Sequence, residues 1–238
     1  MLQPRYQVIK NHLLEQIEAG VLVPGTRVSS ENQLSEQFQV SRMTARRALK
    51  ELSDAGFLFR CQGLGTFIAD SRPMSSMLEI RNIADEISDR GHLCTQKVLS
   101  QESVVANHQQ ASWLGVKDKS EIFHSCIIYF EESVAIQYED RYVNPRLAPD
   151  YLSQDFTEAT PNQYLSQVAP LTEADNIVEA VTADSLVDKQ VLLQMNMSAS
   201  SPCLKVSRRT YSDKGIVSVA SLIHPGDRYR LGGHIHIK

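Results

Sequence analysis

The sequence predicts an α+β chain of two domains, a small helical unit closed by a β-hairpin and a larger unit built on an antiparallel sheet. Three observations carry this. Apolar residues recur at helical spacing from Tyr6 to Leu52. Later segments, Ile122 to Tyr129, Val134 to Tyr142 and Cys203 to Tyr211, are rich in β-branched and aromatic residues with turn signals between them. The charge divides along the same line: residues 1–72 hold 9 basic and 7 acidic side chains, whereas 73–238 hold 15 and 21.

In the first unit, Tyr6, Ile9, Leu13 and Ile17 form a helical stripe that Gly20 and the Pro24-Gly25 turn bring to an end. Ser30-Glu31-Asn32-Gln33 is a capping box: the Ser hydroxyl accepts the N–H three residues on and Gln33 reaches back, so a second helix should run to about Phe38. Ser41 is the next N-cap, and Ala45, Ala48, Leu49 and Leu52 make a third apolar stripe that ends at Gly56. Two helices joined by so few residues are a helix-turn-helix, whose second member enters a major groove. Phe57–Cys61 and Thr66–Ala69 then read as two strands around Gln62-Gly63-Leu64-Gly65, a wing. The glycine pair lacks a third glycine and opens no helix, so it is no dinucleotide fingerprint.

Length and composition exclude several classes. The 238 residues, 42% hydrophobic and 22% charged, suit a packed protein rather than a disordered or fibrous one. No apolar run approaches the roughly 20 residues needed to cross a bilayer, and the N-terminus has no secretory pattern, so the expected compartment is the cytoplasm. Cys61, Cys94, Cys126 and Cys203 are too far apart for a C-x-x-C pair, and His234-Ile235-His236 has no third ligand nearby, so no metal is expected. The net charge of −4 argues against a polyanionic partner only as an average. Arg42, Arg46, Arg47 and Lys50 crowd four cations into the third helix, with Arg42, Arg46 and Lys50 on one face. A basic helical face is often mere solvated surface; here the small Ala45 and Ala48 on the other face favour close helix packing and the DNA reading. The predicted DNA-binding set is therefore Ser41, Arg42, Met43 and Thr44 at the helix start, Arg46, Arg47 and Lys50 along it, Ser30 and Asn32 on the second helix, and Gln62, Gly63 and Gly65 at the wing tip.

The runs Val28–Leu34, Val40–Leu49 and Gly56–Phe67 together resemble the winged helix of GntR-type bacterial transcription regulators, with Ser29 standing where that family usually has proline. Further runs, Glu79–Ile87, Arg90-Gly91-His92, Ile136–Pro145, Ala148–Leu152, Thr160-Pro161-Asn162 and His224–Tyr229, are similar to the HutC subfamily over nearly the whole chain. Turn chemistry and small polar residues meet without periodicity at Arg72-Pro73-Met74-Ser75-Ser76, which places a linker at 71–78 between a DNA-binding domain at 1–70 and a second domain at 79–238; the resemblance implies that the second is an effector-binding domain of the UTRA type with a chorismate-lyase-like fold. It also implies a repressor of histidine-degradation genes that urocanate releases from double-stranded operator DNA. A regulator tuned to another small anionic metabolite is the alternative. A homodimer is expected because helix-turn-helix proteins read paired half-sites.

In the second unit, Asn82 to Ser88, Gln109 to Leu114, Pro161 to Val168 and Asp184 to Leu192 read as short helices between strands. Urocanate joins an imidazole to a carboxylate, so its pocket needs anion donors, a ring partner and a flat wall. Strand alternation sets Glu139 and Arg141 on one face, which suits this pairing or, equally, a plain ion pair. The resemblance implies that Glu139 faces the ligand. Tyr129 and Ser125 share a face as wall and donor; Thr160, at a helix start, is either an anion contact or only a cap; His224 opens a turn placed to close over the pocket; His124 points to the opposite face unless a bend intervenes. No nucleophile lies beside a base, so no enzyme is expected and urocanate is an effector, not a cofactor.

Overall fold

The computed structural model describes residues 4–61, 63–70, 74–76, 81–185 and 187–232. Gln62, Glu79, Ile80, His234 and His236 lie outside the described residues, as does most of the linker expected at 71–78. Two compact units divide the chain, Met1–Ser71 and Arg72–Lys238.

The first unit is three helices and a wing. Helix α1 (Arg5–Glu18) buries Ile9 and Leu13 against Ala45, Ala48, Leu49 and Leu52 of α3 (Arg42–Asp54) and Leu34 of α2 (Glu31–Gln37). The capping box is formed in full: Ser30 Oγ accepts the Gln33 N–H at 3.3 Å, and Gln33 Oε1 accepts the Ser30 N–H at 2.8 Å. Ser41 caps α3 by accepting the Thr44 N–H at 3.1 Å. The proline-free entry at Ser29 thus leaves the cap intact. Strands β1 (Leu58–Cys61) and β2 (Gly65–Ile68) pair antiparallel, with Leu58 opposite Ile68 and both in the core. Gly65 has φ +125°, a conformation that disfavours any side chain, and a Cβ there would also have to displace the Arg27 guanidinium, whose Nε would lie 2.8 Å away.

The second unit is a six-stranded antiparallel sheet with helices on both faces. Its strands are β4 (Cys94–Val105), β5 (Glu121–Glu131), β6 (Val134–Val143), β7 (Glu173–Thr182), β8 (Pro202–Ser212) and β9 (Gly215–Pro225), in the spatial order β4-β5-β6-β9-β8-β7. A short parallel pair, β3 (Met74–Ser76) with β10 (Arg230–Gly232), stands apart from it. Helices α4 (Ile83–Asp89) and α6 (Pro161–Val168) pack through Ile83, Ile87 and Leu165 onto the face that carries Ile127, Tyr129 and Val143. On the other face, α5 (His108–Leu114) covers Ile122 and Val219, and α7 (Lys189–Gln194) covers Cys126, Ile128 and Tyr138. Each of these helices starts on a side-chain cap, at Asn82, Asn107, Thr160 and Asp188. The single helix expected over Asp184 to Leu192 is instead a 3-10 turn (Ala183–Ser185) followed by α7, because Asp188 accepts the N–H groups of Gln190 and Val191 and so begins a new helix.

Candidate DNA-reading face and ligand pocket

The first unit concentrates its cations around one carboxylate. Glu31, at the first position of α2, receives Arg42 Nε at 3.1 Å, Arg46 Nε at 3.0 Å and the Arg60 guanidinium at 3.0 Å. Its own side chain is only 10% exposed while the three arginines are 62%, 49% and 64% exposed, so the anion is covered and the cations face out. The Arg46 hydrogen bond, with those of Arg42 and Arg60 added, outweighs burial and holds the Glu31 carboxyl down at about 2. The arginines therefore form a positioned, outward-facing cluster joining α2, α3 and the wing.

Ser30, Asn32, Arg42, Arg46, Gly63 and Gly65 line one groove of about 480 Å³ between the two helices and the wing, together with Arg27 and Arg60. Ser41, Met43 and Lys50 are exposed on α3 next to it, and Ser41 Oγ and Thr44 Oγ1 lie 2.9 Å apart at the helix start. Arg47 stands away from this cluster. It pairs with Glu51 at 3.0 Å and its guanidinium sits 3.8 Å over the Tyr6 ring, so its position follows from α1. Arg60, Arg27 and the organising Glu31 were not legible in the sequence, since nothing local told which way the wing strand turns its side chains.

In the second unit a pocket lies on the sheet face beneath α4 and α6. Of the seven effector-binding candidates, Tyr129, Glu139, Arg141, Thr160 and His224 line it. Two do not. Ser125 is on the same face but its hydroxyl is taken up 2.7 Å from Tyr151 Oη, deep in the aromatic core. His124 is on the opposite face, as alternation along β5 requires: it lies 3.0 Å from Asp140 Oδ1 and stacks on Tyr142. Burial there opposes a charged imidazole, but the hydrogen bonds to Asp140 and Cys126 prevail and push its pKa up to about 10.

Register explains the polar floor. Arg141 of β6 and Arg208 of β8 flank Ala220 of β9 in one cross-strand row, and Glu139 and Val206 flank Leu222 in the next. Arg141 is satisfied: Nε donates to Glu139 Oε1 at 2.5 Å and another guanidinium nitrogen donates to Ser218 Oγ at 2.7 Å. Burial works against its charge, and the Glu139 carboxylate more than restores it. Arg208 differs. Its Nε donates to Asn176 Oδ1 at 2.8 Å, and among the described residues it has no carboxylate in salt-bridge contact. Burial and then the Arg141 charge lower its pKa.

Two buried polar atoms beside these arginines have no hydrogen-bond partner among the described residues, Tyr129 Oη and Asn82 Nδ2. Asn82 spends its oxygen as the cap of α4, which leaves its amide N–H₂ directed elsewhere. Burial, followed by the Glu139 charge, keeps Tyr129 protonated far above the ordinary phenol range, so it too is a donor. His224 stacks on Tyr229 at 3.8 Å, within 9° of parallel. Burial, helped by Arg208, pushes its pKa down to about 3 despite the bond from Nδ1 to the Ile136 carbonyl, 3.1 Å. With Nδ1 donating, Nε2 is left as a neutral acceptor. Thr160 caps α6, its Oγ1 accepting the Gln163 N–H at 3.2 Å. The free volume is about 40 Å³, room for a few waters at about 10–15 Å³ each.

Sequence comparison adds the relatives. Residues 5–68 match the bacterial regulatory proteins of the gntR family, and residues 89–230 match the UTRA domain. The chain is 46% identical over 97% of its length to a histidine utilization repressor of Pseudomonas aeruginosa, of which it covers 90%. It is 47% identical over 97% of its length to that of Klebsiella aerogenes, of which it covers 94%. Among solved structures, the C-terminal domain of the histidine utilization repressor from Pseudomonas syringae pv. tomato aligns with 61% of this chain and 100% of its own at 43% identity and a TM-score of 0.56. PhnF from Mycobacterium smegmatis, at 18% identity, shares the fold over 96% of this chain and 99% of its own, with a TM-score of 0.67.

Proposed function

Because the chain belongs to the GntR family of bacterial regulators, with the UTRA domain that marks its HutC-type repressors, we propose that it represses histidine-utilisation genes and that urocanate releases it from their operators. DNA binding and repression are the family's work; catalysis is not. The effector rests on the pocket's chemistry and on the relatives' names.

One observation carries the effector reading: a half-buried arginine with no carboxylate in salt-bridge contact among the described residues, Arg208, lies in the same pocket as two donors without a partner among the described residues, Tyr129 Oη and Asn82 Nδ2. A small carboxylate supplies what all three lack. The imidazole end of urocanate then meets Glu139 as an acceptor for a ring N–H and the flat His224–Tyr229 stack as a wall. Arg208, rather than the already paired Arg141, is the anion partner in this reading. The pocket must widen to admit the ligand, and Arg81 and Asn82, just before α4, are the lining residues nearest in sequence to the DNA-binding unit. We read release as a population shift, with urocanate favouring the operator-incompetent state of a homodimer.

The test is a gel-shift titration of the full chain on DNA from upstream of histidine-utilisation genes, with and without urocanate, beside calorimetry of urocanate alone. The expected result is saturable urocanate binding and loss of the shifted complex. Intact complexes at saturating urocanate overturn the effector; another small anionic metabolite that dissociates them then takes its place.

A further inference from the structure

The face of the sheet turned away from the pocket holds a second convergence of polar atoms, which the DNA-binding and effector readings leave unused. His124 and Cys126 are two apart on β5 and so project from the same face, and Asp140 of β6 is paired directly opposite Cys126. His124 Nε2 is 3.0 Å from Asp140 Oδ1 and 3.4 Å from Cys126 Sγ, and the three donor atoms all lie within 4.8 Å of one another.

Three readings compete. A Cys-His-Asp catalytic relay needs the nucleophile on one imidazole nitrogen and the carboxylate on the other; here both meet the same nitrogen, Nε2. A simple hydrogen-bonded cluster, with Nε2–H shared between Asp140 and Cys126 or the thiol donating in its turn, accounts for the contacts but not for three metal-ligating atoms of different kinds converging on one point. A metal ion uses all three atoms together. Tetrahedral zinc, with bonds of about 2.0–2.3 Å to N, O and S, sets its ligand atoms roughly 3.3–3.7 Å apart; the two separations from His124 Nε2, 3.0 Å and 3.4 Å, are within a few tenths of an ångström of that, and Cys126 Sγ lies within 4.8 Å of the Asp140 carboxylate.

The surroundings favour the same assignment. Tyr138 donates its hydroxyl to Cys126 Sγ at 3.2 Å, the kind of outer bond that stabilises a thiolate ligand. Tyr142 stacks on the His124 ring at 4.5 Å, 13° from parallel, and fixes its orientation. Cys126 is buried and His124 nearly so, while Asp140 keeps a third of its side chain exposed, which leaves a path for the ion and a position for water as fourth ligand. Mixed sulfur, nitrogen and oxygen donors select zinc over magnesium or calcium, which require oxygen.

We propose that His124, Cys126 and Asp140 form a site for one divalent zinc ion. The ion would clamp β5 to β6 between the pairs Ser125–Arg141 and Ile127–Glu139, on the opposite face of the sheet from the pocket residues Glu139 and Arg141. The spacing hid it from the sequence, because the ligands are an i, i+2 pair and a cross-strand partner rather than a C-x-x-C motif.

The test uses the full chain, stripped with chelator and titrated with Co²⁺ as the spectroscopic probe. One equivalent should bring up the visible bands of tetrahedral cobalt and a near-ultraviolet thiolate-to-cobalt band, and one equivalent of Zn²⁺ should abolish both. Cys126→Ser should lose the near-ultraviolet band, His124→Gln should weaken binding at least tenfold while keeping that band at high cobalt, and Cys94→Ser should behave as wild type. Operator binding and circular dichroism report whether each variant is folded. No thiolate band at one equivalent in the wild type, a band that survives Cys126→Ser, or a band lost in Cys94→Ser overturns the site and leaves a hydrogen-bonded cluster only.

Discussion

At the residue scale, Glu31 and His224 show how environment sets the role of a side chain. Glu31 is covered by three arginines whose free faces point outward. It lowers the net positive charge, yet it fixes where that charge sits. Glu31→Gln should therefore raise affinity for random duplex DNA and steepen its salt dependence while the ratio of operator to random binding falls; an unchanged ratio in filter-binding titrations would show that the cluster plays no part in reading sequence. His224 contributes a pH dependence of definite sign. Its folded pKa near 3 lies below the ordinary imidazole value, so between about 6.5 and 3 the unfolded chain binds the extra proton and stability falls as pH is lowered. Glu31, with a folded pKa of about 2 against 4.5, adds stability above pH 4.5 that is lost on further acidification. Thermal melting from pH 7 to pH 4 should separate them: His224→Gln should flatten the slope between pH 6.5 and 4.5, where Glu31→Gln has little effect. Glu139 calls for a mild substitution, because truncating it strands the buried Arg141 at a cost of about 3–5 kcal/mol. Glu139→Gln, rather than alanine, is the variant that tests ligand contact.

At the element scale, what was legible in the sequence were the capped helices. Ser30, Ser41, Asn82 and Thr160 each announce a start through a local hydrogen bond, so α2, α3, α4 and α6 fall where capping chemistry puts them. Strands whose pattern is diluted were not. β4 carries Gln96, Lys97, Gln101 and Glu102, β7 is an exposed edge strand with Glu173, Asp175, Asn176 and Glu179, and β9 is rich in small residues; each is fixed by its neighbours more than by its own propensity. The pocket shares that difficulty. Alternation gave Glu139 and Arg141 one face of β6 and Tyr129 and Ser125 one face of β5, but Arg208, Asn82 and Tyr229 reach the pocket from other elements that only the sheet order and the helix caps bring together. The third helix supports a prediction of its own. Arg42 lines the groove at its first turn, whereas Lys50 lies two turns further along. Arg42→Ala should cost about 1–3 kcal/mol and relax discrimination at one base pair. Lys50→Ala should weaken all sequences alike and reduce the salt slope by about 1. A change of sequence preference in Lys50→Ala, measured over a panel of point-mutated operators, would reverse those two roles.

At the scale of the whole molecule, the two units are linked only if the pocket and the DNA-reading face bias one equilibrium. Linkage then imposes a symmetry that no single contact can supply: whatever factor urocanate takes from operator affinity, operator must take from urocanate affinity. A ligand that shifts the population from mostly bound-competent to mostly incompetent needs a differential affinity of about 10⁴ for a complete reversal, and less for a partial one. Arg208 is the residue on which to test this, because it has no carboxylate partner among the described residues to strand when it is changed. Arg208→Gln should keep operator affinity, lose urocanate binding by at least tenfold, and repress without release. In the wild type, urocanate titrated into operator-bound and free protein by calorimetry should give two affinities whose ratio equals the ratio of operator affinities with and without urocanate. Equal urocanate affinities in the two titrations would leave the pocket a ligand site with no hold on the DNA, and an Arg208→Gln variant still released by urocanate would move the anion contact to another side chain.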